Sequence, residues 1–291
     1  MKTGISMRRY AWLAVPAVLV AIGAAPAGAS AADCEFAWLG GNGSSWDSEE
    51  ASGDFYDGAI LPIGPGVDYA GTDIRQDAFD DYGIATIDGN AYSNPDDVGC
   101  TRDGRTNRFP ADEPVAGISV RPELYVSKTK PLGRQLVTVT NTGDTQATFD
   151  LSFDGDLGSD SSTKVAKSSS GNSTVNAADV WATSCEEDGE DEGCATADTV
   201  SRDPELAHNW ERKGKKEDSA DDVQLVEDDG DFDVVFEDVK LGSGKRKSFM
   251  LIVQMARNIG TANKLVKRVE DGPKYVFAGL SKKERKRVQN W

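Results

Sequence analysis

The chain has 291 residues, with 32 basic and 49 acidic side chains, one histidine and a net charge of −17 at pH 7. This excess of acid repels nucleic acid and anionic membrane surfaces, so both are excluded as principal partners. Such acidity is typical of a surface solvated in salt, and the binding of divalent cations is the alternative.

Residues 1–31 carry the pattern of a signal peptide. A positive start, an apolar run over residues 11–25 and the small-residue pattern Ala29-Ser30-Ala31 follow one another. The run is too short to be predicted as a membrane span, and a retained anchor is the alternative. We expect a secreted, extracellular protein with no membrane insertion after cleavage. The alanine-rich style resembles signal peptides of high-GC bacteria such as actinomycetes.

Four cysteines follow the signal segment: Cys34, Cys100, Cys185 and Cys194. An even number of cysteines in an exported protein indicates disulfides, and three pairings can be drawn. The short separation favours Cys185 with Cys194, which leaves Cys34 with Cys100. The alternative of a zinc site lacks both a C-x-x-C motif and a histidine pair.

The first part of the chain is predicted to combine loop with short strands. Residues 40–54, rich in glycine, serine and acid, are expected to form a loop. Residues 57–64 and 82–93 are expected to form strands, the second of them a hairpin turning at Asp88-Gly89-Asn90.

Residues 135–153 give the clearest strand pattern. Apolar and polar residues alternate on both sides of Asn141-Thr142-Gly143-Asp144, which predicts two strands joined in a β-hairpin. Further short strands follow at intervals of roughly 8–12 residues, and the apolar run at 249–253 suits a central strand buried on both faces. The fold class predicted for residues 32–256 is an all-β antiparallel sandwich.

Residues 257–291 differ in character, because the stretch from Ala262 to Trp291 has nine basic and three acidic side chains. Helical spacing precedes a break at Gly272-Pro273, and Ser281 with Glu284 forms a capping box. Val288 and Trp291 are predicted on one face of the helix that starts there. So short a helical pair must dock on the sandwich to be stable, and a basic tail that binds an acidic cell-wall polymer is the alternative.

Motifs for catalysis are scarce. There is no G-x-S-x-G, phosphate-binding loop or dinucleotide fingerprint, and the lone His208 beside Trp210 is predicted to be structural or on the surface. A glycosidase needs only two carboxylates, and the sequence singles out no pair. Trp46, Trp181 and Trp210 could stack on sugar rings, although core positions are more usual.

Two acidic segments have the spacing of imperfect calcium loops. The first contains Asp229, Asp231 and Asp233, and the second contains Asp154, Asp156 and Asp160. The first lacks the turn glycine and the bidentate glutamate of a full loop, and its spacing equally suits the wet face of a strand. Calcium at these six aspartates is the cofactor hypothesis, and no other cofactor is expected.

The segment RQLVTVTNTGDTQATFDLSF resembles the strand–NTG–strand signature of secreted bacterial Ig-like adhesion modules of the CARDB type. Together with VRPELYV, DVWAT, DAFDDYGIATIDGNAY and GLSKKERKRVQNW, it also resembles a group of secreted bacterial β-sandwich proteins. The resemblance implies fold and export, and no catalytic residue. A carbohydrate-enzyme supersandwich carries similar hairpins and is the alternative fold.

From these features we predict a non-catalytic protein for surface interaction or carbohydrate binding. Its partner would be an extracellular glycan, a cell-wall polymer or a protein. The alternative is a carbohydrate-active enzyme that uses a carboxylate pair.

Overall fold

A computed structural model describes residues 34–61, 75–187, 194, 203–214 and 217–291. The predicted signal peptide, the end of the strand expected at 57–64, and most of the acidic segment between Cys185 and Cys194 lie outside these residues. None of the helices described is long and apolar enough to cross a membrane.

Two antiparallel sheets make up the described part of the chain, which confirms the predicted sandwich. The first sheet, in the order β1-β2-β3-β4-β11-β16-β15 with β5 beside β4, contains β1 (Ala37–Leu39), β2 (Ser44–Ser48), β3 (Phe55–Ile60), β4 (Asp81–Ile87), β5 (Asn90–Ala91), β11 (Ala147–Asp156), β15 (Asp222–Leu225) and β16 (Asp231–Leu241). The second sheet, in the order β12-β13-β14-β17-β10-β9-β7-β6 with β8 beside β9, contains β6 (Gly99–Cys100), β7 (Thr106–Arg108), β8 (Asp112–Val115), β9 (Ile118–Val126), β10 (Leu132–Asn141), β12 (Thr163–Ser168), β13 (Trp181–Glu186), β14 (Glu205–Asn209) and β17 (Arg246–Ala256).

The core lies between the sheets because each long strand turns one apolar row inward. Phe149, Leu151 and Phe153 of β11 are buried there, as are Val137 and Val139 of β10. Full burial of a side chain of this size contributes about 1.5–3 kcal/mol to folding. The inward rows fix which residues of the same strands must face outward.

The predicted hairpin over residues 135–153 is wrong in its pairing, although both strands exist. β10 pairs with β9 and β17 in the second sheet, whereas β11 pairs with β4 and β16 in the first. The turn after Asn141 therefore crosses between the sheets. Asn141 holds this crossover, because its Nδ2 donates to the carbonyls of Thr145 and Leu241, each at 2.7 Å. Alternation identifies a strand but leaves its partner undetermined.

The loop expected at residues 40–54 is also partly wrong. A short 3-10 turn (Gly41–Gly43) leads into β2, where Trp46 is fully buried. The serines of this stretch are compatible with a buried strand since Ser44 Oγ donates to the Gly41 carbonyl and accepts from Trp46 Nε1, both at 2.9 Å. Residues 82–93 do form the expected hairpin, as β4 and β5, with positive φ at Asp88 and Gly89.

Other predicted features are confirmed. β17 lies between β14 and β10 and is buried on both faces over 248–256. The disulfides join Cys34 to Cys100 and Cys185 to Cys194, the pairing expected from the sequence.

The C-terminal residues cover the outer face of the second sheet. They form α1 (Ile259–Glu270), a 3-10 turn (Lys274–Phe277) and α2 (Lys282–Arg285), which begins with the capping box of Ser281 and Glu284. Their apolar side chains pack on outward residues of β10 and β17 in one cluster: Leu132, Leu136, Met250, Ile252, Val269, Val276, Leu280, Val288 and Trp291.

The prediction that Val288 and Trp291 lie on the second helix is wrong, because α2 ends at Arg285. Residues 287–289 instead run beside β17. The Ser248 amide donates to the Arg287 carbonyl and the Gln289 amide donates to the Ser248 carbonyl, both at 2.9 Å. The unpaired backbone at the start of β17 favours this extended ending over another helical turn.

Candidate functional site

The predicted calcium residues meet on the outer face of the first sheet. In the register of β11 and β16, Asp154 lies opposite Asp233, and Asp156 lies opposite Asp231. Because Phe153 and its neighbours in register face the core, these four aspartates face outward together. Two segments that are far apart in sequence thus form one acidic surface.

An open cleft of about 340 Å³ lies on this surface. We call it the acidic cleft, and its lining is Asp154, Gly155, Gln224, Val226, Asp231, Phe232 and Asp233. Gln224 comes from the neighbouring β15, where it pairs in register with Asp233. Val226 adds an exposed apolar side chain at 38% exposure.

Asp154 and Asp233 interact most strongly within the acidic cleft. Partial burial, the charge of Asp154 and a hydrogen bond between the two carboxyl groups together raise the pKa of the Asp233 carboxyl to about 7. Ser152 Oγ donates to Asp154 Oδ1 at 2.9 Å. Asp233 is therefore partly protonated at neutral pH.

A second group of carboxylates lies beside the acidic cleft. One carboxylate oxygen from each of Asp80, Asp156 and Asp160 lies within 4.8 Å of the other two, and we call these residues the aspartate cluster. The Asp80 amide donates to the Asp156 carbonyl at 3.1 Å, which ties β4 to the end of β11. Asp160 follows in a 3-10 turn with φ of 45°.

The electrostatics of the aspartate cluster are unfavourable without a cation. Burial raises the pKa of Asp156, and the charges of Asp160 and Asp231 raise it further. Burial, together with repulsion from the charges of Asp80 and other nearby aspartates, raises the pKa of the adjoining Asp77 to about 6. Like charges held this close each favour the protonated form.

The aspartate cluster fits a hard divalent cation. Carboxylate oxygens are the ligands that calcium prefers, and Asp156 Oδ1 is buried without a hydrogen-bond partner among the described residues. Gly230 makes room for this atom, since a Cβ there would lie 2.8 Å from Asp156 Oδ1 and its φ is 96°.

The structure regroups the six predicted residues. Asp156 and Asp160 belong to the aspartate cluster, whereas Asp154 and Asp233 form the carboxyl pair, and Asp231 lines the cleft between them. Asp229 lies in the turn before β16 and is in neither group. Sequence reasoning missed Asp80, for which the acid-rich stretch Asp77–Asp81 is the available signal.

His208 takes part in a buried network between the sheets. Its Nδ1 lies 3.0 Å from the Tyr82 hydroxyl and its Nε2 lies 2.8 Å from Ser184 Oγ. Burial lowers the pKa of the imidazole to about 3, so it is neutral. The serine–histidine contact is sealed in the core with tyrosine as its third member, which makes it structural.

The tryptophans proposed for sugar stacking are also core residues. Trp46 and Trp210 are fully buried, and Trp181 is 3% exposed. None of the three presents a ring to a ligand. The acidic cleft and the aspartate cluster, on the outer face of the first sheet, are therefore better candidates for a binding site than the tryptophans.

Comparisons with known proteins give structural likeness alone. No protein-family model and no curated protein matches the chain. Among solved structures, the chain is similar to a polysaccharide lyase, at 9% identity and a TM-score of 0.46 over 78% of this chain and 34% of that one. It is also similar to a galactose mutarotase-like protein from Lactobacillus casei, at 11% identity and a TM-score of 0.42 over 73% and 97% of the two chains.

A heparinase III is a further neighbour, at 9% identity and a TM-score of 0.37, over 74% of this chain and 36% of that one. The chain thus spans about a third of the lyase and of the heparinase. With TM-scores under 0.5, these likenesses carry no argument about substrate or reaction.

Proposed function

We propose that this is an exported, non-catalytic β-sandwich protein that binds an extracellular glycan or cell-wall polymer in the acidic cleft. The observation that carries the proposal is the arrangement of Asp154, Asp231 and Asp233 with Gln224 around one open cleft. Carboxylates accept hydrogen bonds from sugar hydroxyls, and Gln224 adds a donor and an acceptor. Three hydrogen-bonded strands hold these groups in place, as a preorganised site requires.

The spacing of the carboxylates supports binding over hydrolysis. Hydrolysis of a glycosidic bond uses two carboxyl groups about 5–9.5 Å apart, with the sugar between them. Asp154 and Asp233 are close enough to share a proton, which leaves no room for the scissile bond between them. The pair is better suited to accept hydroxyl donors from one side.

The second candidate function is a carbohydrate-active enzyme. One observation favours it: a pKa of about 7 leaves part of Asp233 protonated at neutral pH, as a general acid must be. In that case Asp233 would donate the proton, and Asp231 is a separate carboxylate in the same cleft.

Calcium at the aspartate cluster completes the proposal. Asp80, Asp156 and Asp160 would hold the ion, and its charge would remove their mutual repulsion. Since Asp156 and Asp231 also interact electrostatically, the ion would reduce the repulsion on Asp231 and so stabilise the acidic cleft that Asp231 lines. Its role would be structural.

A glycan and cell-wall polymer screen tests the function. The mature protein is screened with calcium and with chelator, alongside Asp154→Asn, Asp233→Asn and the exposed control Asp97→Asn. Binding that is lost in the two cleft variants and kept in the control supports the proposal. Equal binding by all variants would refute the acidic cleft as the site.

The same variants separate the two functions. A glycan hydrolysed by the unsubstituted protein and left intact by Asp233→Asn would replace the binding proposal with the enzyme. Binding with unchanged glycan length supports the non-catalytic role.

A further inference from the structure

The opposite sheet carries a different polar recess. A cleft of about 140 Å³, which we call the arginine cleft, opens on the outer face of the second sheet beyond the C-terminal segment. Its lining is Ala111, Ser119, Arg121, Thr138, Thr140, Thr142 and Arg246. We propose that it binds a single oxyanion group (carboxylate, sulfate or phosphate) between Arg121 and Arg246.

Strand register places the two arginines around a hydroxyl floor. Ser119 of β9 lies opposite Thr140 of β10, which lies opposite Arg246 of β17. In the next outward row, Arg121 lies opposite Thr138. The arginines thus stand on strands about 10 Å apart with β10 between them. Their side chains are long enough to converge above Thr138 and Thr140.

Both guanidinium groups are without partners in the part of the chain that the structure describes. Neither Arg121 nor Arg246 makes a hydrogen bond or an ion pair there, although Arg121 interacts electrostatically with Glu284. Neighbouring cations differ, because Arg108 pairs with Glu123 at 2.8 Å and Lys247 pairs with Asp218 at 2.8 Å. In a protein with 49 acidic side chains, two unpaired arginines around one recess indicate an anion from outside.

The recess selects for size and for acceptors. A volume of about 140 Å³ holds one oxyanion group and excludes a whole saccharide. Arginine offers donors alone in a planar fork that matches carboxylate, sulfate and phosphate, and the Ser119 and Thr140 hydroxyls can add donors. Thr138 is committed to Ser248, with Oγ atoms 2.9 Å apart. A neutral ligand would leave the guanidinium charges of Arg121 and Arg246 without a counter-charge.

The surroundings make binding dependent on salt. Glu113 accepts from the Thr142 hydroxyl at 2.9 Å and stands at the rim, so it opposes an entering anion. The exposed basic residues of α2 oppose that effect on the other side. Added salt screens the exposed guanidinium charges and weakens the site.

Titration of the mature protein with sodium sulfate, sodium phosphate and sodium glucuronate tests the proposal. Ionic strength is held constant with sodium chloride, and binding is followed by calorimetry and amide chemical shifts. We expect one saturable site whose dissociation constant rises about tenfold or more in Arg121→Gln and in Arg246→Gln, as the loss of a charge-assisted bond implies. Arg102→Gln, which changes an exposed arginine elsewhere, should bind as the unsubstituted protein does.

The three probes separate the sources of the anion. Preference for sulfate or phosphate points to a tetrahedral group, and preference for glucuronate points to an acidic sugar. Thr140→Val keeps both charges and should weaken binding severalfold, so it serves if an arginine variant unfolds. If anion binding does not saturate, or if Arg102→Gln weakens it as much as the cleft variants do, the arginine cleft is not a binding site. Neither result bears on the proposal for the acidic cleft.

Discussion

Asp154 lies opposite Asp233 on β11 and β16, and its charge adds to the burial that raises the pKa of Asp233 to about 7. They come from strands about eighty residues apart in sequence, and both point out of the sheet because their neighbours fill the core. A carboxyl pair on a solvent-facing strand surface is destabilising once both groups are charged. The pair lines an open cleft, and this is the reason to seek a ligand there.

The charge state of this pair makes stability depend on pH. The Asp233 pKa rises from 3.8 to about 7 on folding, so the folded state binds more protons between those values. Its contribution to stability is therefore lost as pH rises from about 4 to about 7. Asp233→Asn should reduce this dependence, to which Asp77 also contributes, and raise the melting temperature at pH 8 by about 2–4 °C, for about 1 kcal/mol after screening.

Thermal melts at pH 5 and pH 8 in chelator measure this effect. Asp97→Asn, an exposed aspartate outside the cleft, should leave the difference between the two pH values unchanged. An Asp233→Asn variant with the same pH dependence as the parent would show that the pKa of Asp233 does not rise on folding.

Calcium should raise the melting temperature of the protein, and chelator should reverse the rise. A ligand present at a hundredfold excess over its dissociation constant stabilises by about 2.7 kcal/mol. Asp160→Asn should abolish the response to calcium, because it removes one charged ligand of the aspartate cluster. Asparagine tolerates the φ of 45° at this position, so the turn is preserved.

The matched comparison for calcium is Asp229→Asn, at a predicted ligand that lies outside the aspartate cluster. That variant should keep the full response. A melt that calcium leaves unchanged in the parent protein would remove the ion from the proposal.

His208 should remain neutral down to acid pH. Its folded pKa of about 3 lies below the ordinary value of 6.5, so stability is lost as pH falls from about 6.5 toward 3. The chain has one histidine, and its imidazole resonances are therefore unambiguous. They should not titrate between pH 5 and pH 8, and a midpoint near 6.5 would contradict the buried network.

Arg134 should anchor the C-terminal segment. It is fully buried, and its Nη1 donates to the carbonyls of Val276 at 3.0 Å and Ala278 at 2.6 Å, with Glu123 Oε1 3.6 Å from Nη2. Arg134→Met leaves the carbonyls of Val276 and Ala278 without their donor, which costs about 1–3 kcal/mol for each buried group. Glu123 keeps its ion pair with Arg108. Urea unfolding measures the loss.

Hydrogen exchange then locates the loss. Amides of residues 274–291 should exchange faster in Arg134→Met than in the exposed control Arg102→Met. Faster exchange spread evenly over both sheets would mean that Arg134 supports the sandwich as a whole.

Local sequence determined the long strands β10 and β11, the capping box at Ser281 and Glu284, and the helix around Leu265, because short-range periodicity and capping act within a few residues. It did not determine β2, which was predicted as loop. It also indicated the disulfide pairing, through the short separation of Cys185 and Cys194. The inward rows of β11 and β16 even fixed that Asp154 and Asp233 face outward.

The tertiary structure alone decided which strands pair with each other and in which sheet each strand lies. Alternation could not show that β10 and β11 belong to different sheets, since either pairing buries the same apolar rows. Nor could it bring Asp80 to Asp156 and Asp160, or Arg121 to Arg246, because these pairs form only when separate strands align in register. The sites of this protein are products of that alignment.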